Sequence, residues 1–469
     1  MSWQVLILVL QIFFLIYVVL LFGSYAALFA MALGPFRERA LARNSWIELS
    51  QDIEVWPPIT VVLPAYNEEA VIVDCVRTTL NLDYPALEVI VVCDGPKDRT
   101  FEVLVEQLDL VDVPHEPRDD FATQPVERIM GTAMYPNLRV ILKKNGGKAD
   151  ALNVGLNAAR TPLVCCCDAD TLIEPQALRR MVRPFQENPH VIATSGALML
   201  TNGASFEDGK PSTVRAPRNW WAAIQVLEYV RAFYLGRMGF EPISSMLIIS
   251  GAFGLFSRHA LVDIGGYNHA TVGEDMDLVV RLHRHFRQVD RPYHIAYVPS
   301  AVAWTEAPES LAMLRSQRMR WQRGLCEVLW MHRKMPFQRR AGLPGTVGFG
   351  YFMLFEALAP IIELTGYACM IALVLTGYSN WEIWAAMFAL AVSLSSAVTL
   401  SALLIQQRYA PVVTRASDLL RLLMAGGLEM FFFKPLTAIW RVKAMWLFLR
   451  KKKAAWDPIA RKGFQAKEN

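Results

Sequence analysis

Residues 5–33 are almost wholly apolar, with Gln11 and Ser24 as the only clearly polar side chains. A helix that crosses a bilayer needs about 20 such residues, so this segment is long enough to span. A cleaved signal peptide would open on basic side chains and carry a shorter apolar core, whereas Met1 to Gln4 has no basic residue. The segment is therefore expected to remain as a membrane helix. Arg37, Arg39 and Arg43 follow it closely, which places the amino terminus outside and the next part of the chain in the cytoplasm. Composition agrees: only 19% of the 469 residues are charged, below the roughly 25% usual in soluble proteins. A purely cytosolic enzyme is disfavoured. The formal net charge of +4 gives no reason to expect a nucleic-acid partner.

Between residues 46 and 338 the pattern is that of an α/β domain, with short β-branched runs separated by polar, helix-compatible stretches. Apolar character returns at residues 347–376 and 384–405, each suited to one crossing and joined by a short turn at 377–380. Residues 419–449 are interrupted by Arg421, Glu429, Lys434, Arg441 and Lys443, so a hairpin, a tilted crossing and interfacial helices all remain open. Glu356 and Glu363 are costly in lipid, so they are expected either to face other helices or an aqueous path, or to lie near the headgroups. The expected organisation is a membrane helix over 1–36, an α/β domain with interfacial helices over 46–338, membrane and interfacial helices over 343–450, and a basic cytosolic tail over 451–469. Seven cysteines do not make a disulfide framework. Cys165, Cys166 and Cys167 are consecutive, so on a strand they cannot form a chelating pair and are read as small buried residues in a reducing compartment.

Within the α/β part, residues 59–63 form a β-rich run ending at Pro64, and a helical pattern from Ala65 to Leu80 follows. A second run, 87–93, stops at Asp94. Strand, helix and strand in this length make a βαβ unit, hence a parallel sheet with its ligand site at the carboxyl ends of the strands. A third run, 162–167, ends at Asp168-Ala169-Asp170. Two carboxylates on one turn can converge on a hard divalent cation and the diphosphate it holds, although an Asp in a turn also bonds its own backbone. Lys144-Asn145-Gly146-Gly147-Lys148 lacks the Walker A spacing; its glycines let a backbone approach a ligand, and Lys148 stands at a helix start that favours anions. Residues 248–256 include Ser250 and Gly251, where another molecule could come close to the backbone. Glu274 and Asp275 open a helix, either as first-turn acids that complement its dipole or as a general base. Gln317, Arg320 and Trp321 share one face of a helix; guanidinium suits phosphate and indole suits a sugar ring, while Arg315, Arg318, Arg323 and Arg333 also suit anionic lipid. Residues 219–240 have an aromatic amphipathic look that favours a membrane interface over the core. Residues 112–136 and 201–218 are polar and read as surface loops.

Taken in order, Pro64-Ala65-Tyr66-Asn67-Glu68, Asp94, Asn145 to Lys148, Asp168-Ala169-Asp170, Gly273-Glu274-Asp275 and Gln317-Arg318-Met319-Arg320-Trp321 resemble a membrane-embedded family 2 glycosyltransferase. The similarity is greatest to processive poly-β-1,6-N-acetylglucosamine synthases, with hyaluronan and cellulose synthases more distant. The resemblance implies a glycosyltransferase A-type, Rossmann-like sheet carried against transmembrane and interfacial helices. It implies an inverting, metal-dependent hexosyltransferase that adds sugar from a UDP-sugar, favoured as UDP-N-acetylglucosamine, to a growing β-linked exopolysaccharide of the biofilm kind. Product export across the membrane would be coupled to synthesis. Single-sugar transfer to a lipid acceptor and a UDP-glucose-using β-glucan synthase are the alternatives. By the same resemblance Ala65, Tyr66, Glu68 and Asp94 would hold the uridine, Lys148 and Asp168 the nucleotide, and Asp170 with Asp168 a magnesium or manganese ion. Asp275 would be the base with Glu274 beside it, Ser250 and Gly251 would lie near the acceptor, and Gln317, Arg320 and Trp321 would line the meeting point of diphosphate and acceptor. The expected setting is a multi-pass protein of the inner membrane with its catalytic domain in the cytoplasm. Accessory membrane subunits, if used, would be separate chains, because no regulatory domain is expected after Lys453.

Overall fold

The computed structural model describes residues 3–49, 55–114, 118–207, 209–377, 381–410 and 415–451. Lys452, Lys453 and the rest of the expected basic tail lie outside the described residues, as does most of the turn at 377–380 and the side chains of Arg37, Arg39 and Arg43. The strands are Ile59–Ala65 (β1), Leu87–Asp94 (β2), Val111–Asp112 (β3), Val126–Gly131 (β4), Leu138–Lys143 (β5), Leu163–Cys166 (β6), Leu172–Ile173 (β7), Val191–Leu200 (β8), Ala204–Glu207 (β9), Lys210–Val214 (β10), Gly254–Ser257 (β11) and His294–Thr305 (β12). Ten of them form one sheet in the order β3-β4-β5-β2-β1-β6-β11-β8-β12-β7, and β9 with β10 forms a separate hairpin.

β5, β2, β1 and β6 run parallel. Their apolar, β-branched composition follows from burial on both faces, which a parallel sheet imposes when helices cover it. Parallel register also delivers their carboxyl ends to one edge: Ala65 lies opposite Cys93, Asp94 opposite Lys143, and Val62 opposite Cys166. β11 is antiparallel to β6, with Gly254 opposite Cys166, so the chain just before β11 passes over that same edge. Cys165, Cys166 and Cys167 are free and buried in the sheet.

Several expectations are revised. The helix after β1 begins at Ile72, not Ala65. Asn67 adopts a left-handed backbone (φ 57°) and its side-chain oxygen accepts from the Lys97 amide at 2.8 Å, which holds residues 66–69 as a loop. Residues 112–136 contain β4, and 201–218 contain the β9–β10 hairpin. The segment at 219–240, read as interfacial or core, is largely buried. Trp220–Arg231, a π-turn at Ala232–Arg237 and Met238–Phe240 pack between the sheet and the apolar helices and are mostly buried.

Three helices among the described residues are long and apolar enough to cross a membrane: Ile7–Gly34, Ala385–Tyr409 and Ala416–Leu449. Pro344–Ala357 and Ala359–Leu375 pass the same test together, bent by 40° at Leu358, where Pro360 in the next turn lacks a backbone donor. Residues 419–449 are thus part of one continuous run, not a hairpin. Three of its five interrupting charges are met by protein: Arg421 donates to the Pro217 carbonyl (2.7 Å), Glu429 pairs with Arg231 (2.5 Å), and Arg441 donates to Gln322 (2.7 Å) and pairs with Glu356 (3.6 Å). Glu356 therefore faces a neighbouring helix, as one of the two readings required.

Candidate active site

The carboxyl edge of the sheet gathers polar groups because strand, turn and helix repeat there. After β1, the Glu68 amide donates to the Thr100 hydroxyl (2.8 Å), which fixes the loop carrying Tyr66 and Glu68 beside the buried Ala65. At the end of β2, Asp94 is buried and its carboxylate is held by the Gly146 amide (2.9 Å), the Gly147 amide (2.8 Å), the Asn145 side chain (3.1 Å) and the Lys143 ammonium. A carboxylate that accepts two backbone N–H groups and a cation is strongly positioned. Asp94 thereby shapes the Gly-Gly loop from beneath. Lys143, fully buried, also pairs with Asp150 (2.7 Å). In the sequence Lys143 carries no signal beyond ending the mostly apolar run 138–142, which forms β5.

Lys148, the first residue of the Lys148–Ala158 helix, is the hub. Its ammonium lies 2.5 Å from Asp168 and 3.7 Å from Glu274, residues brought in by β6 and by the Glu274–Gln288 helix. Gly251 closes the group from above: a Cβ placed there would stand 2.9 Å from the Lys148 nitrogen and 3.6 Å from the Asp275 Cβ. The Gly251 amide donates to one Asp275 oxygen (3.3 Å) and the Met276 amide to the other (2.8 Å). Ser250 immediately precedes this contact, and its hydroxyl accepts from the Ala252 amide at 3.4 Å. Burial works against the charge on Lys148, yet Asp168, Glu274 and Asp275 together hold its ammonium above the usual lysine range. Burial pushes the Glu274 carboxyl up to about 7, with Lys148 opposing the rise and Asp275 adding to it.

Asp170 is buried on the turn after β6, where the Thr171 amide donates to the Asp168 carbonyl (3.0 Å). Tyr229, from the Trp220–Arg231 helix, lies within electrostatic reach of both Asp170 and Arg318. Asp168 and Asp170 offer hard oxygen donors without His or Cys, which suits a magnesium-like ion bound by one or two carboxylates and completed by substrate phosphates.

The Leu311–Met331 helix is locked to the acids by a backbone contact. A Cβ on Gly273 would meet the Gly324 backbone at 3.0 Å, and one on Gly324 would meet Gly273 Cα at 2.9 Å. Glu327 secures the crossing, accepting from the Thr271 hydroxyl and the Val272 amide, both at 3.0 Å. On this helix Gln317 is buried and its carbonyl oxygen accepts no hydrogen bond among the described residues, whereas Trp321 is 43% exposed. Arg318, read from sequence only as part of a basic patch, pairs with Glu228 (2.6 Å) and stacks 4.7 Å from the Trp321 ring centre. Direct contacts join Lys148, Asp168, Gly251, Glu274 and Asp275; Asp94 reaches them through the Gly-Gly loop; Tyr66 and Glu68 stand at the neighbouring strand end. Gln317, Arg320 and Trp321 are tied to the group by the Gly273–Gly324 crossing.

A mixed sheet of this order, with acidic turns and an anion-favouring helix start at its carboxyl edge and apolar helices packed against it, defines a GT-A-like glycosyltransferase on a membrane-type helical platform. Residues 60–265 match the family described as glycosyl transferase family 2, and residues 163–401 match glycosyl transferase family group 2. The chain belongs to the family 2 glycosyltransferases. It is similar to the poly-beta-1,6-N-acetyl-D-glucosamine synthase of Staphylococcus epidermidis, with 31% identity over 271 residues that cover 58% of this chain and 55% of the relative. The protein of that name in Staphylococcus aureus (strain COL) matches to the same extent. The chain thus spans about half the length of the curated relatives it matches. Among solved structures, the mannosyltransferase PcManGT from Pyrobaculum calidifontis, in complex with GDP-Man and Mn2+, covers 87% of this chain and 99% of its own, with 19% identity and a TM-score of 0.49.

Proposed function

We propose that this chain transfers N-acetylglucosamine from its UDP-sugar to a growing β-linked polysaccharide, with inversion, at the cytoplasmic face of the inner membrane. The observation that carries the reading is Lys148, which joins the Asp168 turn to the Glu274–Asp275 helix start although the three segments are far apart in sequence. The names of the Staphylococcus relatives favour the sugar and the polymer. Three or four apolar helices suit a multi-pass protein that passes its product outward. The expected division holds residues 46–338 on the cytoplasmic side, between the helix in 1–36 and the helices in 343–450.

In this mechanism Ala65, Tyr66 and Glu68 face the nucleoside, while Asp94 sets the loop of Gly146 and Gly147 against which the nucleotide lies. Asp168 and Asp170 hold a divalent cation, magnesium or manganese, which when bound screens the charge of the diphosphate. The acceptor hydroxyl approaches near Ser250 and Gly251. Asp275, held by two backbone amides in one orientation, takes its proton as the acceptor oxygen bonds the anomeric carbon and the bond to the diphosphate oxygen breaks. UDP leaves with the electron pair, and Lys148 and Arg320 stabilise the charge it gains. One displacement inverts the anomeric centre, so no enzymic nucleophile is needed. Trp321, partly exposed, offers a face for the acceptor ring, and Gln317 lies one turn before it.

The test is full-length protein reconstituted in membranes and offered a panel of UDP-sugars with magnesium or manganese, recording UDP release and product size. The reading expects UDP release with UDP-N-acetylglucosamine and a polymer ladder. Release without polymer, accompanied by a labelled lipid, would assign single-sugar transfer instead.

A further inference from the structure

A basic cavity lies away from the acidic cleft, where the chain leaves the Leu311–Met331 helix and approaches its bent apolar pair at Pro344. It has a volume of about 270 Å³ and is lined by Arg284, Met331, His332, Arg333, Lys334, Met335 and Gln338. No carboxylate lines it. Asp277, which bonds His332 (2.8 Å), is also held by Arg281 (2.7 Å). Arg284 donates to His332 Nδ1 (3.0 Å), and Arg333 donates to the Trp330 carbonyl (2.8 Å) and stacks on its ring (4.7 Å). None of Arg284, Arg333 and Lys334 makes an ion pair among the described residues. Three basic side chains lining one cavity without an ion pair favour an anion there.

The rim identifies which kind. Trp330 is 59% exposed and Phe337 88% exposed, with Leu343 also exposed, and Arg339 and Arg340 stand between them. Large apolar side chains left in the open beside basic ones fit a bilayer surface, where rings enter the acyl boundary and cations meet phosphates. A soluble anion would leave the apolar rim unexplained. We infer that this cavity binds the phosphate headgroup of an anionic phospholipid, with Arg284, Arg333 and Lys334 on the phosphate and Trp330 and Phe337 against the acyl chains. The site is independent of the sugar-transfer reading, and Asp277, which grips His332, is only two residues from Asp275 on the same helix.

The experiment is native mass spectrometry of the full-length protein in detergent titrated with phosphatidylglycerol, phosphatidylcholine or soluble glycerophosphoglycerol. Wild type should retain phosphatidylglycerol over phosphatidylcholine. Arg333→Gln with Lys334→Gln, both exposed and so tolerated by the fold, should weaken phosphatidylglycerol binding by about thirtyfold, the combined effect of two basic side chains at a bilayer surface. Arg450→Gln, at the end of the last apolar helix, should leave it unchanged. Equal retention of the two lipids, or an unchanged preference in the double variant with an unchanged melting temperature, would overturn the assignment. Glycerophosphoglycerol binding as tightly as the lipid would also overturn it, by making the occupant a soluble anion. Because the readout is binding, failure here leaves the proposed glycosyl transfer untouched, and absence of turnover leaves this site untouched.

Discussion

Gly251→Ala separates the geometry of the candidate centre from the stability of the fold. The backbone of Gly251 is not left-handed, so alanine can adopt it without conformational penalty. The new methyl would stand 2.9 Å from the Lys148 nitrogen, short of the 3.4 Å at which ordinary contact begins, so the ammonium must retreat by about half an ångström. The atom that gives way is the end of a flexible side chain, and the cost to folding should be about 1 kcal/mol or less, at the low end for an added core methyl. Catalysis is less tolerant: Lys148 sits 2.5 Å from Asp168, and where a 1 Å misplacement of a positioning group costs about a hundredfold, half an ångström costs about tenfold. Steady-state UDP release in reconstituted membranes, with melting temperature measured alongside, reads both quantities. The expected result is kcat down by about tenfold with the melting temperature nearly unchanged. An alanine variant with wild-type kcat would refute the argument that Lys148 must occupy this position, and one that fails to fold would reassign Gly251 to packing.

Three further outcomes follow from the same geometry. Gly273→Ala drives a methyl to 3.0 Å from the Gly324 backbone, which cannot swing aside, so thermal unfolding should show a loss of about 1–3 kcal/mol. Lys143→Met leaves Asp94 and Asp150 buried without their shared cation, and denaturant titration should show a loss of about 3–5 kcal/mol. Glu274, raised from the ordinary 4.5 to about 7 in the nucleotide-free fold, favours the folded state fully below about pH 4.5, and that contribution is lost as pH rises through 7. Glu274→Gln should therefore lose less melting temperature than wild type between pH 5.5 and pH 8, and equal losses would contradict the raised ionisation.

What could be read from the residues tracks the physics that fixed each element. β1, β2 and β6 are buried on both faces and announce themselves as continuous apolar runs, so the acids at their ends could be placed on one edge before any coordinates. β4 and the β9–β10 hairpin are half-exposed, and β9 and β10 pair only with each other outside the main sheet, so their polar composition reads as loop. The helix start was placed too early because the bonds that hold residues 66–69 open come from Lys97, Asp98 and Thr100, about thirty positions away. The aromatic stripe of 219–240 suggested a membrane interface, but a stripe says only that a face is covered, and here both sheet and apolar helices cover it. The burial of Lys143 and the ion pair of Arg318 are not legible for a related reason: Asp94, Asp150 and Glu228 become their partners only in the folded chain.

The central claim is that the acids gathered around Lys148 transfer sugar from a UDP-sugar, with Asp275 taking the acceptor proton. Its most direct measurement compares UDP release from UDP-N-acetylglucosamine by wild type and Asp275→Asn in matched membranes, with UDP affinity measured in parallel. The account predicts that the asparagine variant binds UDP as wild type does and turns over at least about a hundredfold more slowly. Undiminished UDP release and polymer formation by Asp275→Asn would contradict it.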